Sequence, residues 1–336
     1  MIVDDQKLQS NWYNRQIHPQ NKIVKAHLNS IETLSVNIAN PTQFATGSHD
    51  HLVKLWDLNT FKNTSTLQGH KQINFKLFAN IKISKNIRQI LKYNFIKQQQ
   101  REGIWSTQYS LDGKQLLTAS PDKSLIIWDL SKGKPASVLK EHHNKVYFCQ
   151  YNEDNKLIAS GGEDSRLIIW DTRKGTPLKI IQSENKIIYN IKWSRCGNYL
   201  VTSEYGGVSK IFETRNFSQI ASFGKFSEDE RSRIVQVLTF SPQEKSLKLD
   251  YEFLAHMDPI KCLNLDGQKE LIITSCRDGS ARIWESYRRP QEYSPKAIGT
   301  LLEHDENVSS IQFVPHASKT LLLTSSYDCS VNFYQI

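Results

Sequence analysis

An all-β fold built from a repeated four-stranded sheet is predicted for this chain of 336 residues, and three observations predict it. Six β-rich runs end in Trp-Asp or a worn form of it: Trp56-Asp57, Trp128-Asp129, Trp170-Asp171, Phe212-Glu213, Trp284-Glu285 and Tyr334-Gln335. The steps from Trp128 to Trp170 and from Trp170 to Phe212 are both 42 residues, the length of one four-stranded propeller blade. Further residues recur in register with these. A histidine opens each repeat (His27, His70, His142, His256, His304), and an aspartate sits in its tight turn (Asp50, Asp122, Asp164, Asp278, Asp328).

Each repeat reads as strand, turn, strand. Residues 45–56 run Ala-Thr-Gly-Ser-His-Asp-His-Leu-Val-Lys-Leu-Trp, and residues 159–170 repeat the scheme as Ala-Ser-Gly-Gly-Glu-Asp-Ser-Arg-Leu-Ile-Ile-Trp. Small residues precede the aspartate turn and apolar residues follow it, as in a half-buried hairpin. The fourth repeat departs, with Glu184 in the histidine place, Gly206 for the aspartate and Phe212 for the tryptophan. From Phe212 to Trp284 is 72 residues, one period plus 30. That stretch holds one inner strand, residues 233–240, and one outer strand at 251–256. We read it as a shortened fifth blade, giving seven; six blades with a long insertion is the alternative. At the C-terminus, residues 330–336 occupy a third-strand position, while residues 22–25 precede His27 as an outermost strand should. The N-terminal strand then completes the last blade and covers its open edge. Residues 1–20 are expected to form a flexible extension and residues 21–336 the propeller.

These marks resemble the WD40 repeat family over nearly the whole chain, from about residue 21 to residue 336. The resemblance implies a seven-bladed WD40 β-propeller with one degenerate blade. It also implies a hydrogen-bonded network in each intact blade, joining the histidine, a Ser or Thr four residues before the aspartate, the aspartate and the tryptophan. The matching sets are His27, Thr46, Asp50 and Trp56; His142, Ser160, Asp164 and Trp170; and His256, Thr274, Asp278 and Trp284. Repetition at a structural period argues against reading any His-Ser-Asp set as a catalytic triad.

Composition narrows the rest. No apolar run approaches the roughly 18 residues of a membrane span, and the start, Met-Ile-Val-Asp-Asp, lacks the basic and apolar stretches of a secretory signal. A cytoplasmic or nuclear location is expected. Cys149, Cys196, Cys262, Cys276 and Cys329 are scattered and never form C-x-x-C, so free thiols and no metal site or cofactor are expected. From Trp56 to Trp128 is again 72 residues, because about thirty, residues 72–101, interrupt the entry to the second blade. This insertion carries Lys76, Lys82, Lys85, Arg88, Lys92, Lys97 and Arg101 with no acidic residue, and without it the formal charge of +9 falls to +2. Three readings stay open: an amphipathic basic helix with Ile83, Ile87, Ile90, Leu91 and Phe95 on one face, a disordered loop, or translated non-coding sequence. Net charge is therefore no argument for nucleic-acid binding.

No phosphate loop, H-E-x-x-H or G-x-S-x-G is present, and no enzyme is expected. Function then lies on exposed positions of the repeat. One blade position gives Glu32, Trp105, Tyr147, Tyr189, Lys261 and Ser309; the residue before the turn gives His49, Pro121, Glu163, Tyr205, Arg277 and Tyr327. The family resemblance places both sets near the face around the channel. Trp105, Tyr147, Tyr189, Glu163, Tyr205, Arg277 and Tyr327 are the candidate partner-binding residues, since aromatic anchors beside Arg mark binding faces. The first expectation is a monomeric, non-catalytic scaffold or adaptor that docks proteins or peptides within a multiprotein complex. A second rests on Trp170-Asp171-Thr172-Arg173, similar to the W-D-x-R box of WD40 substrate receptors of cullin–RING ubiquitin ligases, where Arg173 would contact the ligase adaptor. A third is an RNA- or membrane-associated component using the insertion.

Overall fold

The computed structural model describes residues 17–70, 103–184, 187–194, 196–205, 208–223, 234–241, 246–266, 271–285, 297–314 and 321–335. The insertion at 72–101 lies outside them, as do residues 1–16 of the N-terminal extension. Within that extension, the Ile17 and Gln20 amides bond to the Thr300 and Phe333 carbonyls.

The described chain is β-strand joined by turns. The first sheet is β2 (Ile31–Val36), β3 (Gln43–Ser48), β4 (Leu52–Asp57) and β5 (Lys62–Gln68), preceded in the chain by the short β1 (Asn21–Ile23). The second is β6 (Ser106–Tyr109), β7 (Gln115–Ala119), β8 (Leu125–Asp129) and β9 (Lys134–Leu139). The third is β10 (Val146–Tyr151), β11 (Leu157–Gly162), β12 (Arg166–Asp171) and β13 (Thr176–Gln182). The fourth is β14 (Ile188–Trp193), β15 (Tyr199–Glu204), β16 (Val208–Glu213) and β17 (Ser218–Phe223). A two-stranded sheet follows, β18 (Ile234–Ser241) with β19 (Ser246–Leu254). Then come β20 (Ile260–Asp266), β21 (Leu271–Cys276), β22 (Ala281–Glu285) and β23 (Ala297–Leu301). The last sheet joins β24 (Val308–Val314), β25 (Leu321–Ser326) and β26 (Val331–Gln335) to β1, with Asn21 opposite Phe333 and Ile23 opposite Val331. Among the described residues, the strand pairs whose register is resolved are antiparallel, so the blades are meanders joined by turns, with β1 added to the last.

The expectation of seven blades is corrected. Among the described residues there are six four-stranded blades, and β18–β19 is a sheet of two strands. The reason lies in the register. In the first blade Val53 faces Leu67, Leu55 faces Ser65 and Trp56 faces Asn63, with an irregularity between Leu55 and Trp56. In β18–β19, Val235 faces Phe253, Val237 faces Tyr251 and Leu238 faces Leu249, with the irregularity between Val237 and Leu238. The two hairpins superimpose in register, so β18 stands in the third-strand position and not, as alternation alone suggests, in the innermost one. The 72 residues between Phe212 and Trp284 accommodate an outer pair of strands but not the inner pair.

The chain divides into two compact units: His27–Tyr205, and the described parts of Met1–Ala26 with Gly206–Ile336. In the first, the core lies between consecutive blades. Leu117, Leu125 and Ile127 of the second blade pack with Val146, Cys149, Tyr151, Ile158 and Trp170 of the third. Gly161 permits such close packing, because a Cβ there would lie 2.5 Å from Ile188. In the second unit, Leu271, Ile273 and Ile283 pack with Ile311, Leu322 and Tyr334, and Phe253 meets Trp284 at a tilt of 57° with ring centroids 4.9 Å apart. Burial of such side chains, worth roughly 1.5–3 kcal/mol each, is the main term holding blade to blade.

Candidate functional site

The repeated polar residues build one arrangement several times. In the first blade the Trp56 indole N–H donates to Thr46 Oγ1 (2.8 Å). The Thr46 hydroxyl meets His27 Nε2 at 2.7 Å, and His27 Nδ1 meets Asp50 Oδ2 at 2.8 Å. Read with a neutral imidazole, donors and acceptors match one to one from indole to hydroxyl to ring to carboxylate. The third blade repeats the chain through Trp170, Ser160, His142 and Asp164, at 2.8, 2.7 and 2.9 Å. The second does so through Trp128, Thr118, His70 and Asp122, at 2.9, 2.7 and 3.0 Å, although 52 residues separate that histidine from its aspartate. In the last blade Thr324 and Asp328 hold His304 at 2.7 and 2.9 Å. Burial raises the Asp50 and Asp164 carboxyls, but the bond to the paired histidine together with bonds from backbone amides outweighs it and holds both below the ordinary range.

Two blades deviate. In the fourth, Thr202 keeps the hydroxyl position, fully buried, but its Oγ1 has no hydrogen-bond partner. In the β20–β23 blade, Trp284 and His256 still meet Thr274 at 2.9 and 2.8 Å, yet His256 Nδ1 stands 3.7 Å from Asp278. Cys276 takes the place filled by Ser48, Ser120 and Ser326 elsewhere, and its thiol donates to the Asp258 carbonyl at 3.2 Å. His256, Cys276 and Asp278 are the one trio of metal-ligand types brought together among the described residues, with donor atoms within 4.8 Å. Their chemistry is poorly suited to a cation. Burial pushes the Cys276 thiol up to about 12. Burial and the nearby Arg282 charge lower the His256 ring, and Arg282 is itself buried and bonded to the Ala255 carbonyl.

Aromatic side chains gather in the His27–Tyr205 unit. Trp105 meets Tyr147 with ring centroids 4.5 Å apart, Tyr147 meets Tyr189 at 5.4 Å, and Tyr189 meets Tyr205 at 6.3 Å. Lys145 Nζ caps the far end, 5.9 Å over the Trp105 ring. Trp105 and Tyr147 are partly buried, whereas Tyr189 and Tyr205 are 44% and 43% exposed. The backbone explains why these positions present their rings. The first strand of five blades carries a register irregularity that skips one residue: Glu32, Tyr147, Tyr189, Lys261 and Ser309. A bulged residue leaves the ladder and its side chain is re-aimed. Tyr205 reaches the same row from the turn, its amide bonded to the Ile187 carbonyl, as Glu163 bonds Lys145.

The other candidate residues are placed as follows. Glu163 is partly exposed at the equivalent turn of the third blade. Arg277 and Tyr327 belong to the second unit, where Arg277 is exposed and Lys261 Nζ lies 5.8 Å over Tyr327. Arg173 is exposed in a turn, its amide donating to Asp171 Oδ1 at 2.9 Å. Asn59 and Ser131 make the same bond in their blades, so the local geometry of that turn is common to the repeat. Sequence reading missed the Lys145–Trp105 contact and the Cys276 substitution; the serine register of the other blades marks the latter.

The model of the WD domain, G-beta repeat matches residues 19–57, 93–129, 133–171, 247–285 and 295–335. A chromatin assembly factor 1 component of Mus musculus is 28% identical over 134 residues, covering 38% of this chain and 22% of that protein. Cell division control protein 4 of Saccharomyces cerevisiae is 24% identical over 136 residues, 40% of this chain and 13% of that protein. The chain thus spans about a fifth or less of the curated relatives it matches. The β-propeller domain of Cps50 (Swd1) from Myceliophteria thermophila superimposes with a TM-score of 0.73 at 17% identity, over 95% of this chain and 99% of that one, which bears on fold alone. With repeat matches over more than half its length, borne on these four-stranded blades, the chain belongs to the WD40 repeat family.

Proposed function

We propose that this protein is a non-catalytic scaffold, working as one component of a cytoplasmic or nuclear assembly, and that it holds a peptide segment of a partner on the row Trp105–Tyr147–Tyr189–Tyr205. The observation that carries this reading is the unbroken contact of four rings on consecutive blades, ending in two exposed tyrosines. Rings locked by one another lose little further entropy on binding, which makes rigid aromatics effective anchors. The kinship with one component of a chromatin assembly factor supports membership of a complex. No helix among the described residues is long and apolar enough to cross a membrane, a statement that concerns helices only.

The test is affinity purification of the tagged full chain with quantitative mass spectrometry, comparing it with Tyr189→Ala combined with Tyr205→Ala. Both side chains are substantially exposed, so the variant is expected to melt with the parent. Losing one anchor of about 2 kcal/mol weakens a complex roughly 30-fold, enough to deplete a partner. Undiminished recovery of every partner refutes the aromatic row as the docking site. The ligase-receptor reading rests on the exposed Arg173, and the RNA or membrane reading on residues outside those described.

A further inference from the structure

The inner strand β20 is uncovered where its counterparts are covered. Leu263 aligns in register with Leu34, Cys149, Ile191 and Ile311, all buried, but is 42% exposed. Leu265 aligns with the buried Val36, Tyr151 and Trp193, but is 57% exposed. In intact pairs of blades these positions pack on the preceding blade. Cys149 and Tyr151 lie against Leu117, Leu125 and Ile127, Ile311 lies against Ile273 and Ile283, and a Cβ on Gly161 would touch Ile191. The cover for Leu263 and Leu265 would therefore come from the inner strands of the blade before β20. That blade is β18–β19, whose register is that of third and fourth strands, with nothing paired to the other edge of β18 among the described residues.

An apolar strip and an open strand edge thus belong to the same missing inner pair. The free edge offers a row of backbone donors and acceptors, which selects an extended chain and not a helix. The exposed leucines select apolar residues on one face of that chain. The second strand β11 presents Gly161 to Ile188 and Ile191 of the next blade's inner strand, so a small residue opposite Leu263 fits best.

We infer that β18 and the Leu263–Leu265 strip form a docking slot that is filled by a two-stranded segment of a partner polypeptide, which completes the blade. The partner segment has period-2 apolar alternation, lies antiparallel to β18, and buries both leucines. This surface shares no residue with the aromatic row, so loss of either leaves the other testable.

The experiment places the photo-crosslinker p-benzoylphenylalanine at position 263 or 265 of the full chain in the source cells. Cross-linked peptides are mapped, and amide exchange in β18 is compared between the free chain and the purified complex. The expected result is a cross-link to another polypeptide within a stretch of alternating apolar residues, with β18 amides protected at least tenfold in that complex. Leu263→Lys with Leu265→Lys is expected to abolish both signals while shifting the melting temperature by less than about 2 °C. Ile311→Lys, at the covered equivalent, is expected to unfold the protein. Cross-links confined to this chain or to a second copy of it, no cross-link, unprotected β18 amides, or unfolding of the double lysine variant would each overturn the inference.

Discussion

Thr202 offers the sharpest test of how the blades are held. Thr46 and Thr202 occupy the same repeat position and both are fully buried. Thr46 Oγ1 takes the Trp56 indole N–H and meets the His27 ring; Thr202 Oγ1 meets nothing. Valine keeps the shape of threonine and removes only the hydroxyl. At position 46 that change strands an indole N–H and an imidazole nitrogen, each costing about 1–3 kcal/mol when buried and unmet. Thr46→Val should therefore destabilise by roughly 2–6 kcal/mol. At position 202 no bond is lost, and the desolvation of an unpaired hydroxyl, about 1–3 kcal/mol in protein mutants, is relieved. Thr202→Val should stabilise by about 1 kcal/mol or be neutral. Equilibrium unfolding in urea, with equal slopes for both variants, measures the difference. Destabilisation by Thr202→Val of more than about 1 kcal/mol would refute the reasoning, because it would mean the hydroxyl is bonded.

The aspartates predict an acid limb. Asp164 has a folded value below its unfolded one of about 3.9, so the unfolded chain binds more protons between the two. Its stabilisation is complete above the unfolded value and is lost as pH falls through the folded one. Asp164→Asn should lower stability at neutral pH and flatten that limb; urea titrations across the acid range check both, and an unchanged limb counts against the pairing. Gly162→Ala would set a Cβ 2.1 Å from the Lys145 carbonyl, and should cost about 1–3 kcal/mol. Because Lys145 caps Trp105, the same variant should shift the tryptophan emission; wild-type stability and emission together would contradict the packing. Arg173→Ala should leave melting unchanged, its side chain being exposed. Recovery of a cullin adaptor that disappears in this variant would favour the ligase reading, and its absence from the parent purification would end it.

The period, the polar networks and the N-terminal strand beside β26 were legible because each depends on residue type at fixed spacing. Trp56, Thr46, His27 and Asp50 bond in sequence as their donors and acceptors require. Blade count was not legible, because the alternation Val235-Gln236-Val237 reads the same on a third strand as on a first. Only the pairing of Leu238 with Leu249 shows which strand it is. The aromatic positions could be picked out by their 42-residue step, but their contact could not, since it depends on how far a bulge turns Tyr147 and Tyr189. The parting of His256 from Asp278 was not legible, since both residues stand at their repeat positions in the sequence.

The skipped residue at the start of five inner strands has a further consequence. Glu32, Tyr147, Tyr189, Lys261 and Ser309 differ in charge, size and polarity, yet the strands around them keep the same register. A residue outside the ladder answers neither to the hydrogen-bonding frame nor to the alternation that fills the core. Where the skipped side chain is exposed, as at Tyr189 and Lys261, it can be reassigned at little cost to folding, whereas Ser309 is buried and donates to the Ser325 carbonyl. The fold thereby separates the residues that keep it standing from exposed positions that tolerate change, and on the proposed docking reading a library confined to those exposed codons would be the economical way to redirect binding.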